Sequence, residues 1–134
     1  MTLPPHVYAH LLGDKIAQHK VNVWLVNTGW SGGPYGIGKR INIEYTRAII
    51  RAALNGTLVD VETRIDPHFG LAVPVSCPDI PANVLDPRAT WADGANYDSR
   101  AQKLAEMFVE NFRNFEDQVT DEVRAAGPHV AVGV

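Results

Sequence analysis

The chain has 134 residues, 46% of them hydrophobic, and its twelve Lys and Arg against fifteen Asp and Glu give a formal net charge of −3. That length and composition describe one compact unit with enough apolar content for a core, and they disfavour disorder as a whole-chain state. The mild, evenly spread acidity argues against a broad nucleic-acid or anionic-membrane surface, but a local Lys-Arg pair can still meet one phosphate or one ring.

The single cysteine, Cys77, excludes an internal disulfide and any Cys-x-x-Cys pair for zinc or redox exchange. The opening Met-Thr-Leu-Pro-Pro-His lacks a basic region followed by an apolar run, and no stretch approaches the roughly twenty apolar residues that cross a bilayer. The expectation is a cytoplasmic chain that contacts neither membrane nor nucleic acid.

In chain order, Tyr8, Leu11, Leu12, Ile16 and Ala17 follow Pro4 and Pro5 at helical spacing and predict a short amphipathic helix. Val21-Asn-Val-Trp-Leu-Val26 concentrates β-branched and aromatic residues in a span suited to a mostly buried strand. Residues 27–40 then hold five glycines, at 29, 32, 33, 36 and 38. A second helix is expected from Ile43 to Tyr45 onward through Leu54, stopped by Asn55-Gly56.

Prolines at 67, 74, 78, 81 and 87 interrupt every candidate helix between Thr57 and Asp93, where Leu71, Val73 and Val75 predict one short extended piece and further short strands are expected. A third helix follows residues 93–96, with Leu104, Phe108, Phe112 and Phe115 on one face. Gly127-Pro128 ends the pattern, so the ordered part is expected over about 3–128, and the tail from Val130 to Val134 has no obvious partner.

The glycine stretch contains Gly33-Pro-Tyr-Gly-Ile-Gly38-Lys39-Arg40, which satisfies G-x-x-x-x-G-K but puts Arg40 where a phosphate loop needs a magnesium-binding hydroxyl. A phosphate loop also opens directly into a helix, whereas Ile41-Asn-Ile43 alternates like an extended piece. Two readings remain. In one, a glycine turn leaves Lys39 and Arg40 solvated; in the other, the Arg40 guanidinium and the Thr46 hydroxyl recognise a planar base, with glycines letting the backbone approach it.

Tyr8-Ala9, Leu25-Val-Asn-Thr-Gly-Trp30, Gly36-Ile-Gly-Lys-Arg-Ile41 and Tyr45-Thr-Arg-Ala-Ile-Ile50 closely resemble the carboxy-terminal part of ATP-dependent phosphoenolpyruvate carboxykinases. The resemblance extends over Phe69-Gly-Leu-Ala-Val-Pro74, Val84-Leu-Asp-Pro-Arg88, Thr90-Trp-Ala-Asp93, Leu104-Ala-Glu-Met-Phe-Val-Glu-Asn-Phe112 and Ala125-Ala-Gly-Pro128, nearly the whole chain. It implies an α/β fold, part of the carboxykinase carboxy-terminal nucleotide-binding domain, with mixed short strands and about three helices. It implies a lyase of gluconeogenesis that converts oxaloacetate and ATP into phosphoenolpyruvate, carbon dioxide and ADP, with Mg2+ and Mn2+.

By the same resemblance Arg40 contacts the adenine-ribose end, Thr46 contacts adenine, Lys39 adds positive potential with a weaker role, and Arg47 braces acidic residues near the second helix. The family's phosphate loop, metal-site residues and oxaloacetate-binding arginine have no counterpart in these 134 residues, so no catalytic or metal-binding residue is assigned and the isolated segment is expected to be inactive. The alternative is a noncatalytic nucleotide-binding or protein-interaction module derived from a carboxykinase. Either way, self-association or docking to an absent amino-terminal portion is expected.

Other residues favour plainer roles. His6 and His10 have i,i+4 spacing but make only two ligands, Asp66-Pro-His68 reads as a turn, and Asp14, Glu44, Asp93 and Glu106 read as solvated surface or helix-capping residues. Cys77 lacks the pattern of a catalytic thiol, and Trp24, Trp30 and Trp91 read as packing residues.

Overall fold

The computed structural model describes residues 3–128 and residue 130. The expectation for the tail therefore lies, past Val130, outside the described residues. Among the described residues there are four α-helices, α1 (Pro5–His19), α2 (Ile43–Leu54), α3 (Gly94–Phe112) and α4 (Asp121–Ala125), one more than expected, joined by short antiparallel strand pairs into a mixed α/β fold.

The helix ends follow local chemistry. Pro5 starts α1, where its missing N-H is one that a helix start leaves unused, and Lys20 ends it in the left-handed region, φ 50°, its N-H donating to the Ile16 carbonyl at 2.8 Å. The Asn42 side chain accepts from the Glu44 N-H at 2.9 Å to cap α2, and Asp93 Oδ1 accepts from the N-H groups of Ala95 and Asn96 at 2.9 and 3.3 Å to cap α3.

Two helical faces differ from expectation. The apolar stripe of α1 is uncovered: Tyr8, Leu11 and Leu12 are exposed and no residue of that helix is fully buried. On α3, Ala101 and Ala105 are buried, with Tyr97, Val109 and Phe112 half-buried along the same stripe. Leu104 and Phe108 lie along one edge of that stripe and stay 44% and 53% exposed, while Phe115 falls beyond the helix end. The start of α3 lies against a 3-10 turn at Arg88–Thr90, where the Arg88 guanidinium sits over Gly94 and bonds Asp98.

The glycine stretch is a hairpin. Strand β1 (Trp30–Ser31) pairs antiparallel with β2 (Lys39–Arg40), Trp30 opposite Arg40 and Ser31 opposite Lys39. In the proline-rich part β3 (Thr63–Ile65) pairs antiparallel with β4 (Ala72–Pro74), Arg64 opposite Val73. The extended piece expected near Leu71, Val73 and Val75 is β4; its partner is masked in the sequence by the exposed, polar Thr63 and Arg64.

Residues 21–26 correct the expectation of a buried strand. Among the described residues they pair with nothing, and Val21, Val23 and Leu25 are exposed while Trp24 and Val26 are half-buried. From Val23 to Val26 the exposure alternates with the period of a strand, but a strand needs a neighbour to bond its backbone, and the described residues supply none.

The buried centre is small: Ala52, Leu58 and Cys77, with Trp24, Ile49, Val61, Ile80 and Leu85 packed around them. Two ion pairs fasten the turns that cover it. Arg64 of β3 donates to Asp86 Oδ2 at 2.7 Å and to the Leu85 carbonyl at 3.1 Å, and Arg88 donates through Nε and Nη2 to Asp98 of α3 at 2.9 and 3.0 Å. The Arg64 hydrogen bond holds the Asp86 carboxyl below its ordinary range, and the Arg88 hydrogen bond does the same to Asp98.

Both depressed carboxyls contribute stability that is complete above the ordinary Asp value of about 3.9 and is lost as pH falls through their lower folded values. Both pairs are partly solvated, so each contribution is modest. Asp86→Asn is expected to lower the urea midpoint at pH 7 and to close the gap to the parent protein as pH falls below about 4; a constant gap down to pH 2 contradicts this role for the Arg64 pair.

Candidate functional site

The hairpin and the start of α2 frame an open groove of about 420 Å³, lined by Ile37, Lys39, Arg40, Asn42, Tyr45 and Thr90 among others. This volume lies in the range of small-molecule sites. Strand β2 carries Lys39 and Arg40 to its rim, both exposed, and two residues later Asn42 turns the chain into α2. Gly38 thus leads into a strand and not a helix, so the backbone geometry of a phosphate loop is not formed.

The groove wall depends on a close approach between hairpin and turn. Gly32 has φ 81°, and a Cβ there would lie 3.1 Å from the Thr90 carbonyl oxygen. Thr90 Oγ1 donates to the Pro87 carbonyl at 2.6 Å, which spends its one proton, so the 3.1 Å contact with Ser31 is a bond donated by Ser31 Oγ. These contacts tie residues some sixty positions apart, and the separation hides them from sequence periodicity.

Of the expected site residues, Lys39 and Arg40 come together on the groove and Thr46 does not line it. Thr46 sits one turn into α2, only 7% exposed, its hydroxyl donating to the Asn42 carbonyl at 3.4 Å. Arg40 has no ion pair among the described residues, in contrast to Arg64, Arg88, Arg113 and Arg124, whose charges are met by Asp86, Asp98, Glu110 and Asp121. Arg47 likewise makes no ion pair with an acidic side chain among the described residues. Tyr45 and Asn42 complete the groove; the signal available in the sequence was their place at the start of α2, directly after the Lys-Arg pair.

Behind the hairpin lies a second, mainly apolar cavity of about 400 Å³, where Trp24, Trp30 and Trp91 meet Leu58, Cys77 and Tyr97. The three tryptophans therefore line one cavity, although Trp30 is largely exposed. Trp91 packs edge-to-face on Tyr97 at 5.6 Å. Burial raises the Cys77 thiol pKa, which keeps it protonated and poorly nucleophilic.

The remaining candidates are structural. Asp66 Oδ1 accepts from the N-H groups of His68 and Phe69 at 3.0 and 2.8 Å and closes a turn. His10 lies 3.8 Å from Asp14 on exposed α1. Among the described residues no group of three or more His, Cys, Asp or Glu side chains is placed to hold a metal ion, so they do not fit Mg2+ or Mn2+.

The wall geometry gives a paired prediction. Gly32→Ala must hold a positive φ and press Cβ against Thr90, and it is expected to destabilise the protein by about 2 kcal/mol. Gly36→Ala also meets a positive φ but open space, so its cost is expected to be nearer 1 kcal/mol. Equal urea midpoints for the two variants contradict the close-approach account.

Comparison with known proteins completes the assignment. The sequence model of the phosphoenolpyruvate carboxykinase family matches residues 1–83. A Brucella anthropi protein named phosphoenolpyruvate carboxykinase (ATP) is 56% identical over 128 residues, covering 96% of this chain and 24% of the relative. A Moorella thermoacetica protein named phosphoenolpyruvate carboxykinase (ATP) 2 is 58% identical over 126 residues, 94% of this chain and 24% of its own length. The corresponding Caldanaerobacter subterraneus protein is 54% identical over 128 residues, again 24% of its length. The chain thus spans about a quarter of the curated relatives it matches. With matches across nearly all of its residues, the chain belongs to the ATP-dependent phosphoenolpyruvate carboxykinase family.

Proposed function

We propose that this chain is the adenine- and ribose-binding part of an ATP-dependent phosphoenolpyruvate carboxykinase, which turns oxaloacetate and ATP into phosphoenolpyruvate, carbon dioxide and ADP in the cytoplasm. The observation that carries the reading is the groove itself: an unpaired guanidinium on Arg40 and the Lys39 ammonium stand at the rim of a pocket sized for a base, beside the Tyr45 ring. A guanidinium plane stacks on a heterocycle and its N-H fork donates to ribose or phosphate oxygens. Lys39 supports this as a point charge, which adds attraction for an anion without fixing its orientation.

Thr46 has a conditional role. Its hydroxyl bond to the Asn42 carbonyl is long at 3.4 Å, so a base edge can compete for that proton or donate to the hydroxyl's lone pairs. The described residues hold no metal cluster and the sequence no phosphate loop, so on this reading neutralising the transferring phosphoryl group falls to the rest of a carboxykinase chain. On this reading the segment alone binds nucleotide and does not turn over.

Calorimetric titration with ATP tests it. Arg40→Ala is expected to weaken binding at least about tenfold, Lys39→Ala less, and Thr46→Val by a few-fold, since a hydrogen bond to a charged donor contributes more than a neutral one. Undiminished ATP affinity in Arg40→Ala overturns the site. With ATP, oxaloacetate, Mg2+ and Mn2+ supplied, the isolated chain is expected to form no phosphoenolpyruvate, and turnover would contradict its partial role.

A further inference from the structure

A protein of 14.7 kDa normally leaves about 6,900 Å² of surface accessible, yet this chain exposes 10145 Å². The excess of about 3,200 Å² is several times the roughly 800 Å² that one partner contributes to a standard interface. Part of this uncovered surface has the signature of a strand. Val21, Val23 and Leu25 are 53%, 62% and 80% exposed, Trp24 and Val26 turn the other way, and among the described residues the backbone of 21–26 donates and accepts no hydrogen bond.

Asn22 is polar and exposed, but from Val23 to Val26 apolar residues occupy both faces, which describes an inner strand, one with a neighbour on each edge and cover on each side. Trp24 adds an independent sign. Its Nε1 is buried without an acceptor among the described residues, a donor that an intact structure satisfies. The relatives are 54–58% identical to this chain over 126–128 residues, and are themselves about four times as long. The cover is therefore sought in the other three-quarters of such a chain.

We propose that residues 21–26 are an unpaired inner strand, and that the part of a carboxykinase chain absent here docks by adding strands to their edges while covering Val21, Val23 and Leu25. Main-chain hydrogen bonds would supply the register, and burial of the alternating side chains the specificity. This deepens the carboxykinase reading and rests on it.

The test co-expresses the tagged 134-residue chain with the three-quarters of the Brucella anthropi relative that lie outside the matched stretch. Recovery of the complex and amide hydrogen exchange are followed together. The expected result is a one-to-one complex in which the amides of 21–26 exchange about 100-fold or more slowly than in the free chain. Val23→Pro removes one ladder donor and should lower recovery about tenfold, whereas Val23→Thr keeps the amide and most of the complex. Because the Val23 amide is unbonded in the free chain, circular dichroism of the uncomplexed variants should match the parent.

Failure to recover a complex, a complex with 21–26 still exchanging freely, or undiminished recovery of Val23→Pro overturns the proposal. So does protection of 21–26 in the free chain alongside a dimer by light scattering, which makes a second copy the occupant. ATP titration of the free chain separates the two readings. Arg40-dependent binding without capture removes only the docking strand, and capture without such binding removes only the nucleotide site.

Discussion

The contact between the glycine hairpin and the turn at Arg88–Thr90 organises the structure. Gly32 lets backbone meet backbone at Thr90, Ser31 donates to the Thr90 hydroxyl, and Thr90 in turn donates to Pro87. The same turn extends Arg88 to Asp98 of α3. One junction therefore joins the half carrying α2 to the half carrying α3, and the groove that displays Lys39 and Arg40 is its outer wall. With few large side chains fully buried, polar and backbone contacts of this kind carry a share of the cohesion that a larger core would otherwise supply.

The site's chemistry follows from what that junction leaves free. Arg64 and Arg88 are committed to carboxylates and serve as fasteners, whereas Arg40 reaches the groove with its charge unmet among the described residues. A paired guanidinium braces a turn; an unpaired one at a pocket rim can meet a ligand. The proposed function divides the labour, with base recognition here and charge neutralisation elsewhere.

The uncovered surfaces belong to the same picture. The apolar stripe of α1, the outward face of residues 21–26 and the flank of α3 at Leu104 and Phe108 are each patterned for burial and each left open. The chain spans about a quarter of the curated relatives it matches, and on the proposed docking these are the surfaces that the rest of a carboxykinase chain would cover.

The sequence by itself determined α1, α2 and α3, the stop at Asn55-Gly56, the turn at Asp66 and the family, because these rest on neighbours within a few residues or on runs of identity. It also placed Lys39 and Arg40 beside each other. Only the tertiary structure decided that α3 packs through Ala101 and Ala105, that β3 pairs with β4, that the glycine stretch is a hairpin closed against Thr90, and that Thr46 stands back from the groove. Those outcomes depend on contacts between residues far apart in the chain, where a small side chain or a missing Cβ decides the fit and leaves no periodic trace. The strand-like run at 21–26 is the instructive case: its pattern is local, but its burial requires a partner that no local pattern supplies.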